Sequence, residues 1–181
     1  MGTPYLGKIL WVDLTRGTLR EETLPPAFYE TQLSGIGLAV KLLLDRIPPG
    51  ADPLGPENVL AMVSGLLTGC GSLFTGRWMV AGKSPLTGGW GDANCGGNFA
   101  PAIKQCGYDG LFFTGISPRP VYLIVRQGRA ELCEAGDIWG QDTYTTERLL
   151  KEKNGGARMR VACLFLTVFL PFAVFLLDGL S

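Results

Sequence analysis

Between Lys83 and Gly110 the chain reads KSPLTGGWGDANCGGNFAPAIKQCGYDG, with seven glycines in 28 residues. Glycine at this density weakens helix and strand alike, and it lets a ligand come close to bare N–H and C=O groups. The stretch is therefore read as a loop with a polar knot at Asp92-Ala93-Asn94-Cys95-Gly96-Gly97, followed by a helix over Phe99–Cys106 capped by Asn98. A surface that wraps a flat, polar or phosphorylated ligand needs such a loop, and this makes it the candidate site.

The flanking runs are short. Tyr5–Leu14 reads as a strand with Ile9 and Trp11 on one face and Leu10, Val12 and Leu14 on the other, returning over Thr18–Glu22 as a hairpin. Pro25-Pro26 opens a helical stretch that Gly35-Ile36-Gly37 interrupts and Leu38–Arg46 resumes. Strand runs follow at Val59–Val63, Trp78–Ala81, Leu111–Thr114, Val121–Arg126 and Ala130–Cys133, and a helix at Asp142–Lys153 with Leu149 and Leu150 inward. Strands outnumber helices and come in hairpin spacing, so the expected class is α+β.

Composition removes several chemistries. The chain has no histidine, which excludes a His general base, a His metal ligand and a Ser-His-Asp triad within it. Sixteen basic and sixteen acidic residues without a block of like charge give no electrostatic footprint for nucleic acid. The five cysteines, at 70, 95, 106, 133 and 163, contain no CxxC pair, so neither a structural zinc site nor a close-spaced cluster is supported. The start MGTPYLGKILWVDL lacks a signal-peptide pattern, a cytoplasmic location is expected, and the thiols read mostly as small core residues.

Two phosphate motifs nearly form. Gly35-Ile36-Gly37 continues to Val40 where the dinucleotide fingerprint has its third glycine, and it follows a helical stretch. Gly82-Lys83-Ser84 ends like a P-loop, but the required earlier glycine is Arg77. What remains is a compound pattern: Leu67-Thr68-Gly69, Gly76-Arg77, Lys83-Ser84-Pro85-Leu86-Thr87-Gly88, Asn94-Cys95-Gly96-Gly97 and Gly107-Tyr108-Asp109-Gly110. Gly7–Thr15, Ile47–Leu54, Pro56-Glu57-Asn58 and Trp139–Thr143 extend it. In joint order these segments resemble the N-terminal domain of the tungsten-containing aldehyde:ferredoxin oxidoreductases, over about residues 5–163.

The resemblance implies two β-sheets forming a base for a tungsten or molybdenum bis-molybdopterin cofactor, whose two pterin phosphates a magnesium ion bridges. It implies that Arg77 and Gly96 contact the pterin, with Cys95 and Gly97 beside them, and that Asn94 lends its backbone oxygen to the magnesium. It implies aldehyde oxidation to a carboxylic acid, or the reverse, with ferredoxin as electron partner. The family's 4Fe–4S cluster has its cysteine ligands beyond the matched region, so this chain is expected to supply none and to be inactive alone. No catalytic residue is assigned here. Two departures stand out: Ile36 lies where the family has Arg between the glycines, and Cys70–Thr75 is bulkier than the family's loop.

Taken singly, Arg77 reads as a solvated strand-edge residue, Asn94 as a turn residue, Cys95 as small packing, Lys83 as an anchor of the loop and Asp92 as a residue that orients it. The rivals to an enzyme part are a stand-alone pterin-binding or scaffold module and an inactive fragment. Self-association is expected through exposed sheet edges. The domain is read as residues 1–160, and 161–181 as a tail of another kind: Val161–Leu177 carries no charge over 17 residues, with Pro171 in its middle. A buried strand at Arg160–Cys163, a shifted reading frame after Cys163 and a membrane anchor are its three readings, since a membrane helix needs about 20 apolar residues.

Overall fold

The computed structural model describes residues 3–71, 73, 75–156, 158–163 and the backbone of 173–178. Strand β1 (Lys8–Asp13) pairs antiparallel with β2 (Thr18–Thr23) and parallel with β6 (Gly110–Thr114). Strands β3 (Val59–Ser64), β4 (Trp78–Lys83) and β5 (Trp90–Cys95) complete a six-stranded mixed sheet of order β2-β1-β6-β3-β4-β5. A hairpin of β7 (Val121–Arg126) and β8 (Arg129–Glu134) belongs to a second sheet of order β8-β7-β10-β9, with β9 at Met159–Cys163 and β10 at Ala173–Asp178. The class is α+β, as expected.

The period-two alternation of β1 sorts its side chains as the sequence predicts. Ile9 and Trp11 join a core with Leu38, Leu42 and Leu43 of α2 (Ile36–Arg46). Leu10, Val12 and Leu14 join the opposite core with Phe99, Ala102 and Ile103 of α3 (Phe99–Gln105) and with Leu123 and Val125 of β7. Covered on both faces, β1, β3 and β6 read as nearly continuous apolar runs.

Helix α1 (Pro26–Gln32) begins with Pro26 in its first turn, where a missing N–H costs nothing. The break before α2 is as tight as its glycines suggest: a Cβ on Gly37 would lie 1.9 Å from the Gln32 carbonyl oxygen. Helix α2 ends at Ile47, ahead of Pro48, which disfavours helical backbone in the residue before it. Helix α4 (Thr143–Asn154) starts on Asp142, whose carboxylate accepts from the N–H groups of Tyr144 and Thr145.

Some sequence readings need correction. The polar knot is not a loop: Trp90–Cys95 is strand β5, paired along β4 from Trp78↔Cys95 to Lys83↔Trp90. Asn98 precedes α3 but its side chain makes no capping bond. Of the cysteines only Cys106 is buried; Cys133 and Cys163 are half-buried, and Cys70 and Cys95 are exposed, so Cys95 is not a packing residue. Arg160–Cys163 is a strand, part of β9, but these four residues are half-buried rather than buried. Residues 164–172 and 179–181, on which the anchor and reading-frame readings mostly fall, lie outside the described residues. Among the described residues no helix is long and apolar enough to cross a membrane.

One polar cluster lies inside this fold. Asp109, fully buried just before β6, accepts from the Leu6 and Gly7 N–H groups, from Tyr29 Oη at 2.8 Å and from Lys104 Nζ. Burial, then the Asp109 carboxylate, pushes the Tyr29 phenol well above the ordinary tyrosine range. Tyr108 is shifted the same way by burial and by its 2.5 Å bond to Glu21. A phenol that holds its proton in the folded chain and loses it near pH 10 when unfolded stabilises fully below about pH 10, and that contribution is lost as pH rises above it. Stability is therefore expected to fall above pH 10 with a slope of up to ~1.4 kcal/mol per pH unit for each tyrosine. Tyr108→Phe should remove one tyrosine's share of that slope, as read by urea unfolding at pH 9, 10 and 11.

Candidate functional site

Strand pairing divides the glycine-rich stretch into two places. At the closed end of the β4–β5 hairpin, Ser84 N donates to Gly89 O and Gly88 N donates to Ser84 O, both at 2.8 Å. Lys83 anchors this end, its Nζ donating to Ala51 O at 2.5 Å. Asp92 orients the strand by accepting from the Trp90 indole at 2.8 Å. Arg77 and Gly96 flank the open end of the same hairpin, roughly 20 Å from Lys83 at strand rise. Lys83 therefore stands apart from Arg77.

At the open end three segments converge. The chain leaves β3 at Ser64 and turns at Gly65–Thr68, with Thr68 N donating to Gly65 O at 3.1 Å. Both ends of that turn hold the Arg77 backbone: Gly65 N donates to Arg77 O at 3.2 Å and Thr68 Oγ1 to the same oxygen at 3.3 Å. Opposite lie Gly96 and Gly97. A Cβ on Gly96 would sit 3.9 Å from Arg77 Nη1, and a Cβ on Gly76 would sit 3.4 Å from Gly97 O. Gly97 has φ +93, a conformation that a residue with a side chain rarely adopts. The strand thus turns sharply there into α3.

All five residues singled out from the sequence are exposed: Arg77, Asn94, Cys95, Gly96 and Gly97. Arg77, Gly96 and Gly97 share the open end. Asn94 and Cys95 are the last two residues of β5, opposite Met79 and Trp78. The Arg77 guanidinium has no hydrogen bond or ion pair among the described residues. Strand β5 is an edge strand, so part of its backbone has no sheet partner. Among the described residues no three His, Cys, Asp or Glu side chains gather as a metal site would require.

Residues not assigned from the sequence also build this end. Thr68, buried, and Gly65 hold Arg77 in place; Leu67-Thr68-Gly69 marked the turn but not what it grips. The helix break lies against the same turn, since a Cβ on Gly35 would be 3.6 Å from Gly65 Cα. Leu33, Ile36 and Leu67 are exposed here, Leu33 by 58% with φ +61.

The model of the aldehyde ferredoxin oxidoreductase N-terminal domain matches residues 9–164. The tungsten-containing aldehyde ferredoxin oxidoreductase of Pyrococcus abyssi is 40% identical over 158 residues, 87% of this chain and 26% of that protein. The aliphatic sulfonate oxidoreductase WOR-like subunit of Pyrococcus furiosus is 33% identical over 155 residues, 82% of this chain and 24% of that protein. Among solved structures, the active site complex BamBC of benzoyl coenzyme A reductase with 1,5 dienoyl-CoA aligns with a TM-score of 0.88 at 34% identity, covering 91% of this chain and 25% of that one. The chain spans about a quarter of the length of the relatives it matches. With a single family model matched from β1 to the end of β9, the chain belongs to the aldehyde ferredoxin oxidoreductase family, through its N-terminal domain.

Proposed function

We propose that residues 1–160 form the base on which a tungsten or molybdenum bis-molybdopterin cofactor lies, within an oxidoreductase that interconverts aldehydes and carboxylic acids and exchanges electrons with ferredoxin. The observation that carries this reading is the convergence of the Gly65–Thr68 turn, Arg77 and Gly96–Gly97, with an arginine fork that has no partner among the described residues.

The residues present fit such a group. Arg77 offers five N–H donors in a plane, which suit a phosphate or a heterocycle edge, and its backbone is fixed at two points. Gly96 and Gly97 carry no Cβ, so a flat ring can lie against their peptide groups, and Cys95 borders them. Asn94 lies on an edge strand, where a backbone carbonyl can serve a hard cation such as magnesium together with phosphate oxygens and water. When bound, the metal and its pterins supply the redox chemistry, and the protein supplies position and electrostatics. This chain's part is to orient the pterin, to neutralise phosphate charge with Arg77 and to cover one side of the group.

Relatives named for aldehydes, for aliphatic sulfonates and for benzoyl coenzyme A share this domain. That spread supports a base that holds the cofactor while the substrate is chosen elsewhere. A second reading is a pterin-binding or scaffold module without catalysis. The test is elemental and pterin analysis of the chain purified from cells grown with tungstate and molybdate. Near-stoichiometric metal with pterin is expected. A folded chain carrying neither would overturn the cradle and leave a scaffold.

A further inference from the structure

Ser64 closes β3 with no exposed surface. A hydroxyl there is costly unless it is bonded. Its Oγ donates to Ala100 O at 3.0 Å, in the first turn of α3. Its backbone is held as well: Ser34 Oγ donates to Ser64 O at 3.0 Å, and Ser64 N donates to Asp109 O at 3.0 Å. The next residue, Gly65, donates to the Arg77 carbonyl. One buried residue therefore reaches both sides of the open hairpin end: the Gly65–Arg77 side through its chain neighbour, and the helix after Gly97 through its hydroxyl.

The apolar contacts of α3 cannot do this alone. Phe99, Ala102 and Ile103 bury the helix against the sheet, but burial is non-directional and tolerates a small slide or roll. A hydrogen bond to one carbonyl fixes distance and angle. Only Asn98 separates Gly97 from the first turn of α3, so a roll of the helix moves the Gly96–Gly97 peptide groups relative to Arg77.

We propose that Ser64 is a positioning residue that sets the spacing between Arg77 and the Gly96–Gly97 backbone. Its functional meaning rests on the cradle reading, while the spacing itself is measurable without any cofactor. The experiment is amide hydrogen exchange on the full chain with Ser64→Ala and Ser64→Thr. In Ser64→Ala, the amides of Gly65, Thr68 and residues 102–105 should exchange about tenfold faster, the equivalent of one lost hydrogen bond. The Leu6 and Gly7 amides, bound to Asp109, should keep their rates. Ser64→Thr retains a hydroxyl and should restore slow exchange; if the added methyl prevents folding, Ser64→Gly must reproduce the alanine pattern. Faster exchange spread evenly over the sheet, or no change at 102–105, would overturn the proposal. Metal analysis decides the cofactor reading separately, so a metal-free chain with the local exchange pattern sinks that reading and leaves Ser64 in this role.

Discussion

Asp109→Ala is expected to lower the unfolding free energy by about 3–5 kcal/mol, the usual cost of removing one partner from a buried ion pair. The side chain is fully buried and accepts from Leu6 N, Gly7 N, Tyr29 Oη and Lys104 Nζ. Without it Lys104, itself only 9% exposed, is left as a buried cation whose one remaining partner among the described residues is the Pro4 carbonyl at 3.3 Å. Tyr29 and two backbone donors lose their acceptor in the same step. Domains of ordinary stability hold about 5–15 kcal/mol, so the loss is a large fraction of the whole. Asp109→Asn keeps a carbonyl acceptor and the side-chain volume and should fall between wild type and alanine. Lys104→Met should cost less than either, because Asp109 keeps its Tyr29 and backbone donors. Urea unfolding followed by circular dichroism gives the order. A loss under about 1 kcal/mol for alanine, the range of an exposed pair, would show that the cluster is solvated and the argument wrong.

Which parts of this molecule could be read in advance follows from where the information lies. The faces of β1 were legible because Ile9, Leu10, Trp11 and Val12 alternate locally, and each core takes its own set. The α1–α2 break was legible because Gly35 and Gly37 interrupt a helical run. Strand β5 was not legible. Trp90–Cys95 contains no β-branched residue and is almost wholly exposed, so it is a strand because the open edge of β4 pairs with it and not through its own preference. The Asp109 cluster was hidden for a different reason: Lys104 is five residues away, but Tyr29 and Gly7 are 80 and 102 residues away in sequence. At the candidate site, Arg77, Gly96 and Gly97 were singled out through the family resemblance, and the fold brings them to one end of the hairpin. The Gly65–Thr68 turn and the Ser64 hydroxyl were not, since nothing in their own residues says which carbonyls they meet.

Arg77→Met separates site from scaffold most sharply. The side chain is exposed and its guanidinium has no partner among the described residues, while the bonds from Gly65 and Thr68 go to the Arg77 carbonyl, which the substitution keeps. Stability should therefore stay within about 0.5 kcal/mol of wild type, as for a surface change that touches nothing. Cofactor retention should not. A hydrogen bond to a charged group contributes about 1.5–3 kcal/mol, so losing it weakens binding by about 10- to 150-fold. Arg77→Lys should recover only part of this, because an ammonium is a point charge and cannot present a flat fork to a phosphate or ring edge. The measurement pairs thermal unfolding with metal and pterin content per chain after extended dialysis. Equal retention in all three proteins, each folded, would make Arg77 a solvated strand-edge residue and move the cofactor contact elsewhere. Retention lost together with several kcal/mol of stability would instead mean that Arg77 holds the hairpin end itself, contrary to the separation of its backbone and side-chain roles described here.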